Sequence, residues 1–360
     1  MKKIILALVF LLVFCGCASS DAGNISESVQ SMESINQDFT ELHKQIITDK
    51  GVYFVNPADD RLYFMDFEKK KALPLCNKIN CSHEDSDCNA VFDFFVCICE
   101  YGGQLYIVAA SEDGLGVSLY KMKYDGSDRT ELKHLTYYDE NDTDIASLVY
   151  EFRIFSGSGY FICNKTSMDW KEEMTQTMYK IGLDSSDEME EIFSVTGKSS
   201  FLSICGSGER GIYLLYSYLS EERENRYINY LINADTLKAE ELSEPVNAIH
   251  HVRDDKIFYY DGNDYMRYDT DSHSAKKMFG SDNRYIPYYD NDCMYFDTDL
   301  AVALEEIPPD ERKIYVVDYD GNVIGAFEGA GELGTVAIKD GMLVTSDYED
   351  EPKFSFFEMK

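Results

Sequence analysis

Cys76, Cys81, His83 and Cys88 fall within thirteen residues, in the spacing C-x4-C-x-H-x4-C. Three thiolates and one imidazole are the donor set of a tetrahedral soft-metal shell, with bonds of roughly 2.3 Å to sulfur and 2.0–2.1 Å to nitrogen. Four protein donors leave no coordination position open, so a zinc ion held here is structural and activates no water. Closing the loop in this way also removes entropy from the unfolded chain. The same thiols support a second chemistry. In an oxidising compartment Cys76–Cys81 or Cys81–Cys88 could pair as a disulfide, leaving one thiol for Cys97 or Cys99. His83 has no part in that scheme. Cys163, Cys205 and Cys293 sit on apolar runs and read as small buried hydrophobes.

Other chemistry-bearing patterns are bland. Gly206-Ser207-Gly208-Glu209-Arg210-Gly211 matches G-x-G-x-x-G, but Ile212-Tyr213-Leu214-Leu215-Tyr216 follows it as a strand. A dinucleotide site needs a helix there, so the glycines predict a hairpin turn. Glu140-Asn141-Asp142-Thr143-Asp144 with Glu151 has the oxygen spacing of a calcium loop, yet Ile145 stands where glycine is required. His250 and His251 are adjacent, so on a strand they point to opposite faces and cannot chelate one ion together. There is no G-x-S-x-G and no H-E-x-x-H, and carboxylates are too numerous for spacing to single out an acid–nucleophile pair. No catalytic residue is therefore assigned.

The elements that must position these residues are strands. A turn residue, an apolar residue and an aromatic or apolar anchor recur, with anchors at Tyr53, Tyr106, Tyr160, Tyr213, Phe258, Tyr295 and Leu343. Each is followed by a second apolar run, among them Leu62-Tyr63-Phe64, Leu119-Tyr120-Lys121-Met122 and Ile314-Tyr315-Val316-Val317. Tyr124-Asp125-Gly126 and Tyr319-Asp320-Gly321-Asn322 supply the positive φ of tight hairpins. A four-stranded unit repeating about every fifty residues cannot bury both faces alone, and stacking radially on two neighbours does so. The pattern predicts an all-β propeller over residues 39–360, of seven blades, with six or eight as the neighbouring counts. The cysteine loop, preceded by Pro74, falls between the first and second blades. The last copy runs out one strand short. An open edge invites aggregation, so residues Ile35–Glu41 are expected to supply the missing outer strand and His43–Thr48 the first inner one.

Acids outnumber bases 66 to 33 and the sequence pI is about 4.4. Such a chain is repelled by nucleic acid and by anionic lipid head groups, which argues against a nucleic-acid partner. At its start, Lys2 and Lys3 precede the apolar run Ile4–Phe14, which is too short to span a bilayer but suits an export signal. Residues 18–38 are polar and acid-rich and read as a flexible tether reaching roughly 25 Å.

With the run ending in Phe14-Cys15-Gly16-Cys17, the chain resembles the lipobox-bearing β-propeller surface lipoproteins of anaerobic Firmicutes. These are similar in outline to TolB-type and low-density-lipoprotein-receptor-type propeller repeats. The repeated Gly51-Val52-Tyr53-Phe54 and Leu62-Tyr63-Phe64 strands and the cysteine cluster carry the rest of the likeness. The resemblance implies a signal peptide at residues 1–16, cleavage after Gly16, diacylation (a palmitate-type anchor) on the Cys17 sulfur, and a tether over residues 17–38. It implies a cell-membrane location on the extracytoplasmic face and no defined activity. Two or three acyl chains bury enough methylenes for stable anchoring, at about 0.8 kcal/mol each. The expected role is a binding or scaffolding module for a protein or glycan partner, with a polysaccharide-active hydrolase or lyase as the alternative.

Overall fold

The computed structural model describes residues 45–56, 59, 61–85, 87–137, 145–167, 173–184, 188–220, 224–245, 247–280, 286–289, 293–298, 307–329, 334–339, 341–346 and 354–360. The signal peptide, Cys17, the tether, the Ile35–Glu41 segment and Glu140–Asp144 of the calcium-like loop lie outside the described residues. Among the described residues no helix is long and apolar enough to cross a membrane.

The chain is all-β. The first sheet orders β1 (Gln45–Ile47), β2 (Gly51–Asn56), β3 (Arg61–Asp66) and β4 (Lys71–Pro74); the second orders β5 (Phe95–Tyr101), β6 (Gln104–Ala110), β7 (Gly116–Lys123) and β8 (Thr130–Tyr137). A third holds β9 (Ile145–Phe155), β10 (Ser158–Ser167), β11 (Met174–Gly182) and β12 (Glu190–Gly197). Two further meanders are β13 (Ser200–Gly208), β14 (Gly211–Leu219), β15 (Asn225–Asn233), β16 (Ala239–Glu241) and β17 (Ile249–Arg253), β18 (Lys256–Tyr260), β19 (Asp264–Asp269), β20 (Ser274–Gly280). Next come β21 (Ile286–Tyr289), β22 (Cys293–Asp297), β23 (Lys313–Asp318) and β24 (Val323–Glu328). Among the described residues the last sheet has three strands, β25 (Gly334–Lys339), β26 (Met342–Ser346) and β27 (Phe354–Glu358). Within every meander neighbours pair antiparallel. β1 lies within the expected inner-strand segment 43–48.

Strand periodicity explains why these runs are apolar on both faces. Along β2, Val52 and Phe54 pack with Val344 and the partly buried Phe354 and Phe356 of the last sheet. Tyr53 and Val55 point the other way, onto Ile98, Leu105 and Ile107 of the second sheet. The same division recurs around the molecule. Val108 and Leu119 meet Phe152 and Phe161; Tyr160 and Ile162 meet Leu202 and Leu214. Tyr213 meets Ile257, Phe258 meets Phe296, and Tyr295 meets Leu343. Each sheet thus packs on the one before and the one after, and the last packs on the first, which is the arrangement of a β-propeller. The sequence anchors are the buried residues of each second strand. Fully burying one such side chain stabilises the fold by about 1.5–3 kcal/mol.

One junction differs from the rest. β13 and β17 pair directly and in parallel, Gly206 opposite Val252 and Ser207 opposite Arg253, which merges two meanders into one eight-stranded sheet. A Cβ on Gly206 would stand 2.5 Å from the Val252 carbonyl oxygen, and its φ is +145°. Only glycine permits that approach. Of the motif Gly206–Gly211, the last glycines form the β13–β14 hairpin, as expected, while the first makes this close contact. Just before it, Glu151 Oε2 accepts the Ile204 N–H at 3.0 Å and Arg153 Nη2 donates to the Ile204 carbonyl at 3.3 Å. A buried ion pair on β9 thereby satisfies backbone groups on β13.

Candidate metal centre

Cys76 lies two residues beyond β4, in the link 75–94 that runs from the outermost strand of the first sheet to β5. Backbone bonds seat that link against the first sheet: Leu75 N–H donates to Leu62 at 2.8 Å and Leu62 N–H to Ala90 at 2.9 Å, with a bridge between Arg61 and Val91. The second sheet grips it from the other side. Arg129 donates through Nη1 to the carbonyls of Cys88 (3.1 Å) and Val91 (2.6 Å), and its guanidinium lies 4.1 Å from the Phe92 ring centroid. Asn89 Nδ2 donates to the Gly126 carbonyl at 2.6 Å. Gly126, at φ +78°, comes so close to the Leu75–Cys76 peptide that a Cβ would fall 2.6 Å from the Leu75 oxygen. The hairpin glycine of Tyr124-Asp125-Gly126 therefore has a second task, admitting the cysteine link.

This scaffold brings the four sequence-predicted ligands together. One donor atom from each of Cys76, Cys81, His83 and Cys88 lies within 4.8 Å of all the others. His83 Nδ1 and Cys88 Sγ are 3.3 Å apart. A tetrahedral shell with the bond lengths above sets its donors roughly 3.3–3.8 Å from one another, so a small contraction of the loop suffices. His83 adopts φ +61° and Asn80 φ +60°. For a non-glycine residue that conformation costs on the order of 1 kcal/mol. Cys88 is fully buried, while Cys76, Cys81 and His83 are partly exposed.

The thiols differ in proton affinity. Burial pushes the Cys76 thiol up, but N–H groups of Lys78 and Asn89, with the thiols of Cys88 and Cys81, bring it below its ordinary value. Burial pushes Cys88 up to about 12; Cys81 and Cys76 add to that, and the Ala90 N–H offsets part of it. The two thiols are thus set apart in acidity, Cys76 giving up its proton more readily than Cys88. A dication would compensate the charge and displace the remaining protons. The donor set fits a soft divalent ion.

All eight described cysteines are free thiols, so the disulfide alternative is not formed among them. Cys97 and Cys99 are buried on β5, where Cys99 Sγ donates to the Phe152 carbonyl. Cys163, Cys205 and Cys293 are buried in the core, as their apolar surroundings predict. Sequence reasoning missed Arg129, Asn89 and the approach at Gly126. All three act across the sheet junction, where no local spacing announces them.

The histidine pair does not divide between two faces as strand alternation predicts: the register shifts between Ile249 and His251, and each ring lies against a member of the same buried cluster. His251 stacks on Tyr289 with ring centroids 4.3 Å apart. His250 stands edge-on to Tyr265, and its Nδ1 has no hydrogen-bond partner among the described residues. Burial holds its imidazole down at about 4, against an ordinary 6.5. The unfolded imidazole takes a proton below about 6.5 and the folded one resists until about 4. Between those values the unfolded state binds more protons, so stability falls as pH drops through the window, by about 3 kcal/mol in all. Replacing His250 with phenylalanine should flatten that part of the stability curve. Thermal unfolding of both proteins from pH 7 to pH 4 measures it, and parallel curves would exclude His250 as the source.

No protein-family model and no curated protein matches the sequence. Solved structures do show the fold. The chain is similar to a puromycin hydrolase at 10% identity and TM-score 0.52, covering 91% of this chain and 53% of that one. It is similar to the β-propeller domain of the Trilobed protease from Pyrococcus furiosus at 11% identity and TM-score 0.48, covering 89% and 95%. It is also similar to an oligogalacturonate lyase in complex with manganese at 8% identity and TM-score 0.41, covering 90% and 78%. The chain spans about half the length of the hydrolysing peptidases it resembles. At these identities the likeness is one of fold alone.

Proposed function

We propose that this chain is an extracytoplasmic binding or scaffolding module, a seven-bladed propeller held to the membrane by acyl chains on Cys17 and braced by zinc on Cys76, Cys81, His83 and Cys88. The observation that carries the reading is the tetrad. Four protein donors fill a tetrahedral shell, so the ion would brace a junction between sheets, and the ring would act by recognition. Seven blades are supported by the seven repeated strand pairs in the sequence and by the succession of meanders and interfacial cores around the ring. Anchoring rests on the sequence Gly16-Cys17 after an apolar run. The partner class, protein or glycan, follows from the habit of propellers to bind through the loops joining their strands. The enzymatic alternative, a polysaccharide hydrolase or lyase, requires carboxylates or histidines that converge in a cleft with displaced proton affinities.

The anchor has a direct test. Cells grown with an alkyne-bearing fatty acid should label the unmodified chain, which should sediment with membranes. Cys17→Ser should abolish the label and release the chain into the soluble fraction. Undiminished label on the serine variant would refute lipidation at Cys17.

A further inference from the structure

Outer strands elsewhere run along most of their neighbours: β12 pairs β11 from Met174 to Lys180, β20 pairs β19 from Asp264 to Asp269, and β24 pairs β23 from Lys313 to Val317. The meander β13–β16 departs from this. β16 pairs only Tyr230, Leu231 and Ile232 of the nine-residue β15. The chain makes one more bond, Leu242 N–H to the Asn229 carbonyl at 2.8 Å, and leaves the edge. Asn229 draws it away. Its Nδ2 donates to the carbonyls of Pro245 (2.6 Å) and Asn247 (2.9 Å), so the link turns onto the face of β15. Backbone groups alternate sides along a strand. With the Asn229 carbonyl turned outward, those of Tyr227 and Asn225 are turned outward too. Among the described residues no backbone group pairs with them on that side.

A second observation falls at the same place. Tyr227, Leu219 and Phe201 are 41%, 40% and 47% exposed. Register sets Tyr227 beside Ser217 and Ser217 beside Phe201, and Leu219 lies two residues from Ser217, so all share one face. Bare main-chain groups beside uncovered apolar side chains are what an added strand uses: the first supply hydrogen bonds, the second select alternate side chains. Charge narrows the partner. Glu240 and Glu241 are exposed where β16 stops, and the chain carries a formal net charge of −33, which favours basic flanks. We propose that the edge of β15 at residues 225–228 is a docking site for an extended segment of a protein partner. The segment adds as a strand in the line that β16 abandons, sets an apolar side chain against Tyr227 and Leu219, and carries Lys or Arg at its ends. The inference deepens the binding-module reading, on which it rests for its use, by naming the partner as an extended basic polypeptide.

Residue-resolved amide hydrogen exchange on the full-length chain tests it, with the synthetic peptide acetyl-Lys-Thr-Val-Thr-Val-Lys-amide as the probe. In dilute free protein the Tyr227 amide should exchange at least about tenfold faster than those of Arg226 and Ile228, which face β14. Millimolar peptide should slow it by about tenfold, and the fully N-methylated peptide, which cannot pair as a strand, should not. Tyr227→Ala and Leu219→Ala, both at exposed positions, should each weaken peptide binding by roughly fivefold or more. Glu in place of both Lys should weaken it by about tenfold, and equal binding would overturn the choice of a basic partner. A Tyr227 amide already slow in free protein at every concentration means that the chain covers its own edge. Protection that rises with protein concentration means that a second copy does. Either result overturns the proposal, as does an amide that stays fast in millimolar peptide or is slowed equally by the methylated one. Should an alanine variant unfold, the exchange pattern of the unmodified protein decides. A bare edge that takes no peptide would leave recognition to the loops of the ring, so the two readings fail separately.

Discussion

Purified from zinc-replete medium, the protein should carry about one zinc ion per chain, and Cys88→Ser should carry almost none. Cys88 is the buried member of the tetrad. Its sulfur accepts the Ala90 N–H at 3.4 Å and its carbonyl is held by Arg129. Serine retains the volume but offers a poor ligand to a soft ion. An ion present at a thousand times its dissociation constant stabilises the folded chain by about 4 kcal/mol. A chelator should therefore lower the melting temperature of the unmodified protein by several degrees and leave Cys88→Ser nearly unmoved. His83→Ala should show the same signs more weakly, since three sulfurs remain. Cys163→Ser, in the core far along the chain, should leave the zinc content unchanged. Elemental analysis with calorimetric melting provides the measurement. An unmodified protein that binds no zinc, and melts identically with and without chelator, would remove the brace.

The second large effect is expected at Asp297 and Arg312. Arg312 Nε donates to Asp297 Oδ1 at 2.9 Å and Nη2 to Oδ2 at 2.5 Å, a two-pronged pair with side-chain exposures of 1% and 0%. It sits at the foot of the excursion between β22 and β23. There Thr298 N–H donates to the Lys313 carbonyl at 3.0 Å and Lys313 N–H to Thr298 Oγ1 at 2.8 Å. Asp297→Asn takes the carboxylate of a two-pronged pair from a guanidinium in a dry site and should cost about 3–5 kcal/mol. The double variant Asp297→Leu/Arg312→Met removes both charges and should recover most of that loss, because the pair repays little more than its own desolvation. Urea unfolding of the parent, both singles and the double resolves the coupling. A single variant within about 0.5 kcal/mol of the parent would mean that the pair contributes nothing.

How far the sequence reaches can be judged residue by residue. Tyr53, Tyr106 and Tyr160 mark second strands because a run packed on both faces is apolar throughout and bounded by turn residues, and both signals are local. The tetrad is legible for the same reason, since its ligands share one short loop. The pairing of Asp297 with Arg312 gave no sign: Asp297-Thr298-Asp299 reads as an acidic surface turn, and Arg312 is an ordinary charge fifteen positions on in a chain full of acids. Glu151 and Arg153 were hidden likewise, and Glu151 was weighed only as a calcium ligand. Gly206 was read as part of a turn, whereas its place is against Val252, a residue forty-six positions on. What stayed out of reach is what two distant segments do to each other.

The parallel contact of β13 with β17 bears on how such a wheel would deform. Sheets that meet only through interleaved side chains can slip or tilt a little against one another at small cost. Two that share main-chain hydrogen bonds move as one rigid plate. A large guest entering the hub would therefore force its way elsewhere on the circumference, and the plate holding Gly206 and Val252 would serve as the fixed hinge block about which the other sectors swing.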